Sequence, residues 1–172
     1  MDLVSLILHV SAAAVLVGPQ LLMFYAVTPA SWMVEDEYLK RQVLGVIARR
    51  YGMLAGVSIL VLLATGLYQF YSVTPTPIQD DMMSYRFGQI FITKMTLFTA
   101  LIGLIMVHAM VFARRIRRLS DAVLEGRGDR DELERARLRS FVFSVLLLLV
   151  SFAVLWLGVS LGHGSYSYVP VE

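Results

Sequence analysis

Six side chains in this 172-residue sequence could do chemistry where they lie: His9, Lys94, His108 and His163, each in or beside a long apolar run, and the adjacent Met82 and Met83. An ionisable group within a stretch that crosses a bilayer costs free energy, so each is a functional candidate by default. Lys94 and His108 share the stretch QIFITKMTLFTALIGLIMVHAMVFARRIRR and stand fourteen residues apart, with Leu101 midway. At about 100° per residue that spacing returns nearly to the same helix face, so one wall carries a cation near one end and an imidazole near the other. Paired imidazoles at matching depth on different helices are what a b-type haem requires, one ligand from each side of the iron. Thioethers are soft ligands suited to Cu(I), although two of them are too few for a site and fit equally well as apolar residues of a loop lying on the interface.

The elements that must position these groups are four apolar runs, about 3–27, 51–71, 90–113 and 141–161, in a chain that is 58% hydrophobic with a mean hydropathy of +0.70. Each run spans about 30 Å of hydrocarbon at ~1.5 Å per residue. The fold class this implies is an all-α integral membrane protein, a bundle of four transmembrane helices forming a single domain over 1–172. Counting about 20 residues outward from the arginines that mark one boundary places His9, Gln69, Lys94 and His163 in a common layer near the other. On this count His9–His163 is the best-matched pair. His9 and His108 differ by roughly 15–20 Å in depth, and His108 can as well hydrogen-bond a neighbouring helix. The bland reading of the layer is a polar boundary, with Lys94 snorkelling to headgroups.

Composition closes several routes. There is no cysteine, which excludes disulfides, thiolate metal sites, cysteine-held iron–sulfur clusters and covalent c-type haem. The spans hold no Asp or Glu beyond Asp2 at the edge, which argues against a carboxylate-based proton pump or cation-coupled transporter. No nucleophile–base–acid arrangement and no internal repeat is visible. The net charge of +2 is no sign of nucleic acid, because the basic residues flank the spans. The first connection holds Lys40, Arg41, Arg49 and Arg50, and the third holds nine arginines from Arg114 to Arg139. By the positive-inside rule both loops face the cytoplasm and both termini face outward. The first run has no basic leader, so it reads as a retained span.

Along the chain, Asp2, Ser5, His9, Ala12, Leu16 and Gln20 form one polar and small stripe, with a kink expected at Gly18-Pro19 and an end at Thr28-Pro29. Trp32 is an interfacial anchor. Glu35 to Arg50 reads as an amphipathic helix leading into the second span, whose heptad stripe is Tyr51, Ser58, Thr65 and Ser72. Pro75 and Pro77 predict an extended or turn segment. The third helix is expected to continue to about Glu125 and turn at Gly126-Arg127-Gly128. The chain then resumes as helix with Asp131–Arg135 and Glu134–Arg137 pairs, a cytoplasmic helical extension whose charges are solvated or meet anionic headgroups. Ser144, Ser151 and Gly158 form the fourth span's stripe, and Gly52-xxx-Gly56 and Gly158-xxx-Gly162 permit close helix contact.

The stretches LHVSAAAVLVG in the first span, ATGLY at Ala64–Tyr68 and FITKMTLFTALIGLIMVHAM in the third resemble the copper-resistance-protein-D-like superfamily, which includes, more distantly, the HemJ-type protoporphyrinogen oxidases. The resemblance covers about three of the four spans. It implies a bacterial inner-membrane helical bundle with a link to haem b or copper, with His9 matching the family's first-helix histidine and Lys94 its third-helix lysine. The separation of His108 from Lys94 is longer than in that pattern. The Trp usual after the first histidine is absent, its place taken by Val15-Leu16-Val17, which lowers the odds of protoporphyrinogen oxidation. The copper relatives normally form part of a longer chain.

The expectation is therefore a b-type haem-binding protein of the inner membrane, acting in electron transfer or porphyrin redox chemistry. His9 with His163 or His108 would be the axial set, Lys94 would neutralise a propionate or anionic substrate, and a membrane redox partner or a second copy would bind it. The alternatives are a copper-handling permease using His9, Met82 and Met83, and a cofactor-free structural subunit of a larger membrane complex.

Overall fold

The computed structural model describes residues 3–171 and is all-helical, with no strand beyond one isolated bridge among those residues. Asp2 of the first stripe lies outside them. Four helices are long and apolar enough to cross a membrane: α1 (Leu3–Trp32), α2 (Glu37–Val73), α3 (Arg86–Leu124) and α4 (Arg130–Gly162). They alternate in direction, so the α1–α2 and α3–α4 connections share one end with the arginines, called here the basic end. The α2–α3 connection and the C-terminal tail share the far end.

Local sequence accounts for the boundaries. Asp36 caps α2 by accepting from the Tyr38 and Leu39 amides at 2.9 and 3.1 Å, and Asp129 caps α4 by accepting from Asp131 at 2.8 Å. Such caps satisfy amides that a helix start leaves orphaned. Gly126, at φ 71°, makes the turn between α3 and α4. Pro19 sits inside α1, and a π-helical segment, Met23–Val27, follows one turn later. The helix runs through Thr28-Pro29 to Trp32 instead of ending there, because Pro29 falls in the first turn after the π segment, where a missing amide costs little. α3 has its own π segment, His108–Phe112, without any proline.

Other expectations are refined. Glu35–Arg50 is no separate amphipathic helix, since α2 is continuous from Glu37. The proline-rich segment forms a short helix, Thr76–Asp80, with proline in its first turn, followed by a 3₁₀ turn, Met82–Ser84. Arg135 pairs with the cap residue Asp129 at 3.6 Å instead of Asp131, while Arg137 does pair with Glu134 at 2.5 Å.

α1 packs along α2 and α3 along α4, so the bundle is two hairpins. α1 also meets α4, through Phe24 stacked on Phe141 at 5.2 Å and through Ser151, whose hydroxyl donates to Gln20 Oε1 at 2.8 Å. The hairpins are tied at both ends. At the basic end the Glu37 carboxylate is only 13% exposed and accepts from Arg137 at 2.6 and 2.9 Å and from the Ser120 hydroxyl at 2.6 Å. Arg41 pairs with Asp121 and Arg115 with Glu132. Part of the charge run expected to be solvated is thus an interhelical core, completed by buried Leu133 and Ala136. At the far end Phe70, Phe87 and Phe91 cluster, and the tail is stitched to the α2–α3 loop by Arg86 N to Val169 O at 2.9 Å and Val171 N to Ser84 O at 2.8 Å.

Candidate functional site

The site assembles from the stripes. On α1, Ser5 and His9 are one turn apart and face the α2 stripe: Gln69 Nε2 donates to Ser5 Oγ at 3.3 Å, and His9 Nδ1 lies 2.7 Å from Thr65 Oγ1. Thr65 has one hydroxyl proton, and it goes back to the Val61 carbonyl at 2.6 Å. With that proton on the carbonyl, the hydroxyl oxygen accepts, an arrangement that corresponds to the Nδ1–H tautomer of His9. That leaves the Nε2 lone pair of His9 without a protein partner among the described residues. The ring lies over Gly66, where a Cβ would stand in ordinary contact at 3.5 Å from His9 Cε1.

Lys94 enters from α3. Its side chain lies over Gly158 of α4, where a Cβ would stand 3.5 Å from Nζ and 3.6 Å from Cε. Among the described residues the ammonium has no carboxylate and no hydrogen-bond partner. Each hairpin thus holds one half-buried ionisable group against a small residue of its second helix: His9 of α1 on Thr65 and Gly66 of α2, and Lys94 of α3 on Gly158 of α4. The arrangement can coordinate a metal centre through one nitrogen and attract negative charge.

The other candidates lie elsewhere. His108 Nε2 is engaged by Ser140 Oγ at 3.0 Å and Ser144 Oγ at 3.3 Å, and its ring forms a three-ring cluster with Phe112 and Phe143, at 5.9 Å from each centroid, while the two phenyl rings lie 4.8 Å apart. It joins α3 to α4 towards the basic end, as an isolated intramembrane histidine can. His163 is exposed at the end of α4, its Nδ1 3.0 Å from Ser165 Oγ. Met83 is exposed in its 3₁₀ turn, and Met82 packs onto Gly88, about 9 Å along α3 from Lys94 at the helical rise. The structure sets His9 on Thr65 and Gly66 of α2 and Lys94 on Gly158 of α4, and leaves His108, His163 and the two methionines elsewhere.

Two features escaped the sequence reading. Thr65 was legible only as a member of a stripe, though its match to the depth of His9 was a usable signal. The burial of Glu37, Ser120 and Arg137 depends on three helices meeting and has no local signature. The α4 stripe is used throughout: Ser144 on His108, Ser151 on Gln20, Gly158 under Lys94. No family model, no curated protein and no solved structure matches the chain.

Proposed function

We propose that this chain is a haem b-binding protein of the bacterial inner membrane, acting in electron transfer or porphyrin redox chemistry, with its arginine-rich end in the cytoplasm. The observation that carries the reading is the His9–Thr65 hydrogen bond, which holds the imidazole in the Nδ1–H tautomer and reserves Nε2 for a metal. The resemblance to the copper-resistance-protein-D-like superfamily points the same way. Support for His9 as the iron ligand comes from the other two histidines' contacts: His108 is engaged by two serines, and His163 lies beyond the last turn of α4 beside Ser165. On this reading the imidazole of His9 would hold the iron from this chain. A bound haem b supplies a one-electron couple. Thr65 would orient the ring and raise its basicity, and Lys94 would offset the negative charge of the ligand's carboxylates. A copper role draws less support, since Met82 is packed against backbone and neither methionine joins His9.

The test is a reduced-minus-oxidised spectrum of the purified protein with a pyridine haemochrome assay and metal analysis. Near-stoichiometric haem b, lost in His9→Ala and kept in His108→Ala, is the expected result. Protein purified without haem from haem-sufficient cells sinks the reading.

A further inference from the structure

The basic end holds a cavity that the haem reading does not use. The Glu37–Arg137 pair draws the starts of α2 and α4 together, and a space of about 180 Å³ remains beside it. Its walls come from every helix: Trp32 at the end of α1, Glu35 in the connection, Lys40 on α2, Val123 on α3, and Arg130 and Glu134 at the start of α4. Lys40 is the telling member. It is only 9% exposed, yet among the described residues it has no carboxylate, carbonyl or hydroxyl partner. The next residue, Arg41, is paired with Asp121. The Lys40 nitrogen is not among the fully enclosed unpartnered atoms, so its methylene stem is covered while the charged end keeps an opening. A cation held this way by packing, with no partner, is relieved by any anion that reaches it.

The other charges on the walls narrow the occupant. Glu37 and Glu134 are already held by Arg137. Arg130 and Glu35 form no ion pair among the described residues, so two cations and one carboxylate are free for a ligand. With Arg137 counted, the three carboxylates are balanced by three cations, and a neutral site with free charge of both signs suits a zwitterion better than an anion. Two cations match the two unesterified oxygens of a phosphodiester, and a carboxylate matches a primary ammonium. The rim is apolar: Trp32 lies edge-on against Phe141 at 5.5 Å between centroids, and Met33 beside it is 85% exposed. A tryptophan in this position marks the headgroup level of a bilayer, and basic pockets between helices at that level take lipid headgroups. We infer that the cavity binds the phosphoethanolamine headgroup of a membrane phospholipid, its phosphate held by Lys40 and Arg130 and its ammonium by Glu35. A choline headgroup has no N–H to donate to Glu35, and a glycerol headgroup leaves that carboxylate without a cation.

The test is native mass spectrometry of the delipidated full-length protein in non-ionic detergent, titrated with phosphatidylethanolamine, phosphatidylcholine or phosphatidylglycerol of the same acyl chains. One phosphatidylethanolamine is expected to bind more tightly than either of the others. Lys40→Met keeps the covered stem and removes the charge, and should weaken that binding about tenfold. Arg130→Gln, at an exposed position, should weaken it without a packing change. Glu35→Gln should erase the preference over phosphatidylglycerol. Arg49→Gln, an exposed cation away from the cavity, should leave it intact. Equal affinity for the three lipids overturns the inference, and so does phosphatidylethanolamine binding that neither Lys40→Met nor Arg130→Gln changes. Thermal protection by inorganic phosphate but not by phosphatidylethanolamine assigns the cavity to a soluble anion and overturns the lipid. None of these measurements reads haem, so their outcome is independent of the haem reading.

Discussion

Replacing Thr65 by Val is the sharpest probe of the site. The substitution is nearly isosteric, so packing between α1 and α2 is retained and only the acceptor for His9 Nδ1–H is lost. That contact is short, 2.7 Å, and the same hydroxyl is anchored at 2.6 Å to Val61 O, so no other rotamer of the residue competes for it. Removing the partner of a metal-ligating histidine typically weakens metal affinity tenfold to a hundredfold, about 1.4–2.8 kcal/mol. The lost hydrogen bond itself contributes about 0.5–1.5 kcal/mol to folding. Thr65→Val should therefore lower haem affinity by one to two orders of magnitude in a spectrophotometric titration and shift thermal unfolding in detergent only modestly. Thr65→Ser, which keeps the hydroxyl, should restore affinity. Unchanged haem affinity in Thr65→Val would refute the argument that this hydroxyl fixes the tautomer. So would equal losses in the Val and Ser variants.

Three further outcomes follow from the same geometry. Arg137→Met strands the nearly buried Glu37 carboxylate and should cost about 3–5 kcal/mol, while Glu37→Gln/Arg137→Met should recover much of it; denaturation curves showing equal cost for both would contradict a buried pair. Gly88→Ala forces a Cβ into the Met82 carbonyl, a backbone group that cannot swing aside, and should cost about 1–3 kcal/mol by thermal unfolding without abolishing His9-dependent haem binding. His108→Phe should retain the spectrum while destabilising α3 against α4 by about 1 kcal/mol, measured as a shift in the same transition, since it removes contacts to Ser140 and Ser144 but keeps the stack with Phe143.

The sequence alone determined the four helices, because a bilayer demands runs of a given length and apolarity and each run here meets the demand within its helix. It also determined the turn at Gly126 and the faces used for packing, since Ser58, Thr65 and Ser151 lie on heptad stripes that helical periodicity alone lays out. Depth counting set His9, Gln69, Lys94 and His163 in a common layer, because rise per residue is nearly invariant. Only the tertiary structure decided which ionisable groups meet. His108 shares the helix wall of Lys94, yet it is taken by Ser140 and Ser144, and that depends on the rotation of α4 against α3, which no single-helix pattern contains. His163 shares the layer of His9 but falls beyond the last turn of α4 and turns to Ser165. Glu37 and Arg137 are a hundred residues apart and look like ordinary surface charges until three helix ends converge on them. Periodicity specifies a face of each helix; the relative rotation and tilt of the helices, set by how their side chains interlock, specifies what that face touches.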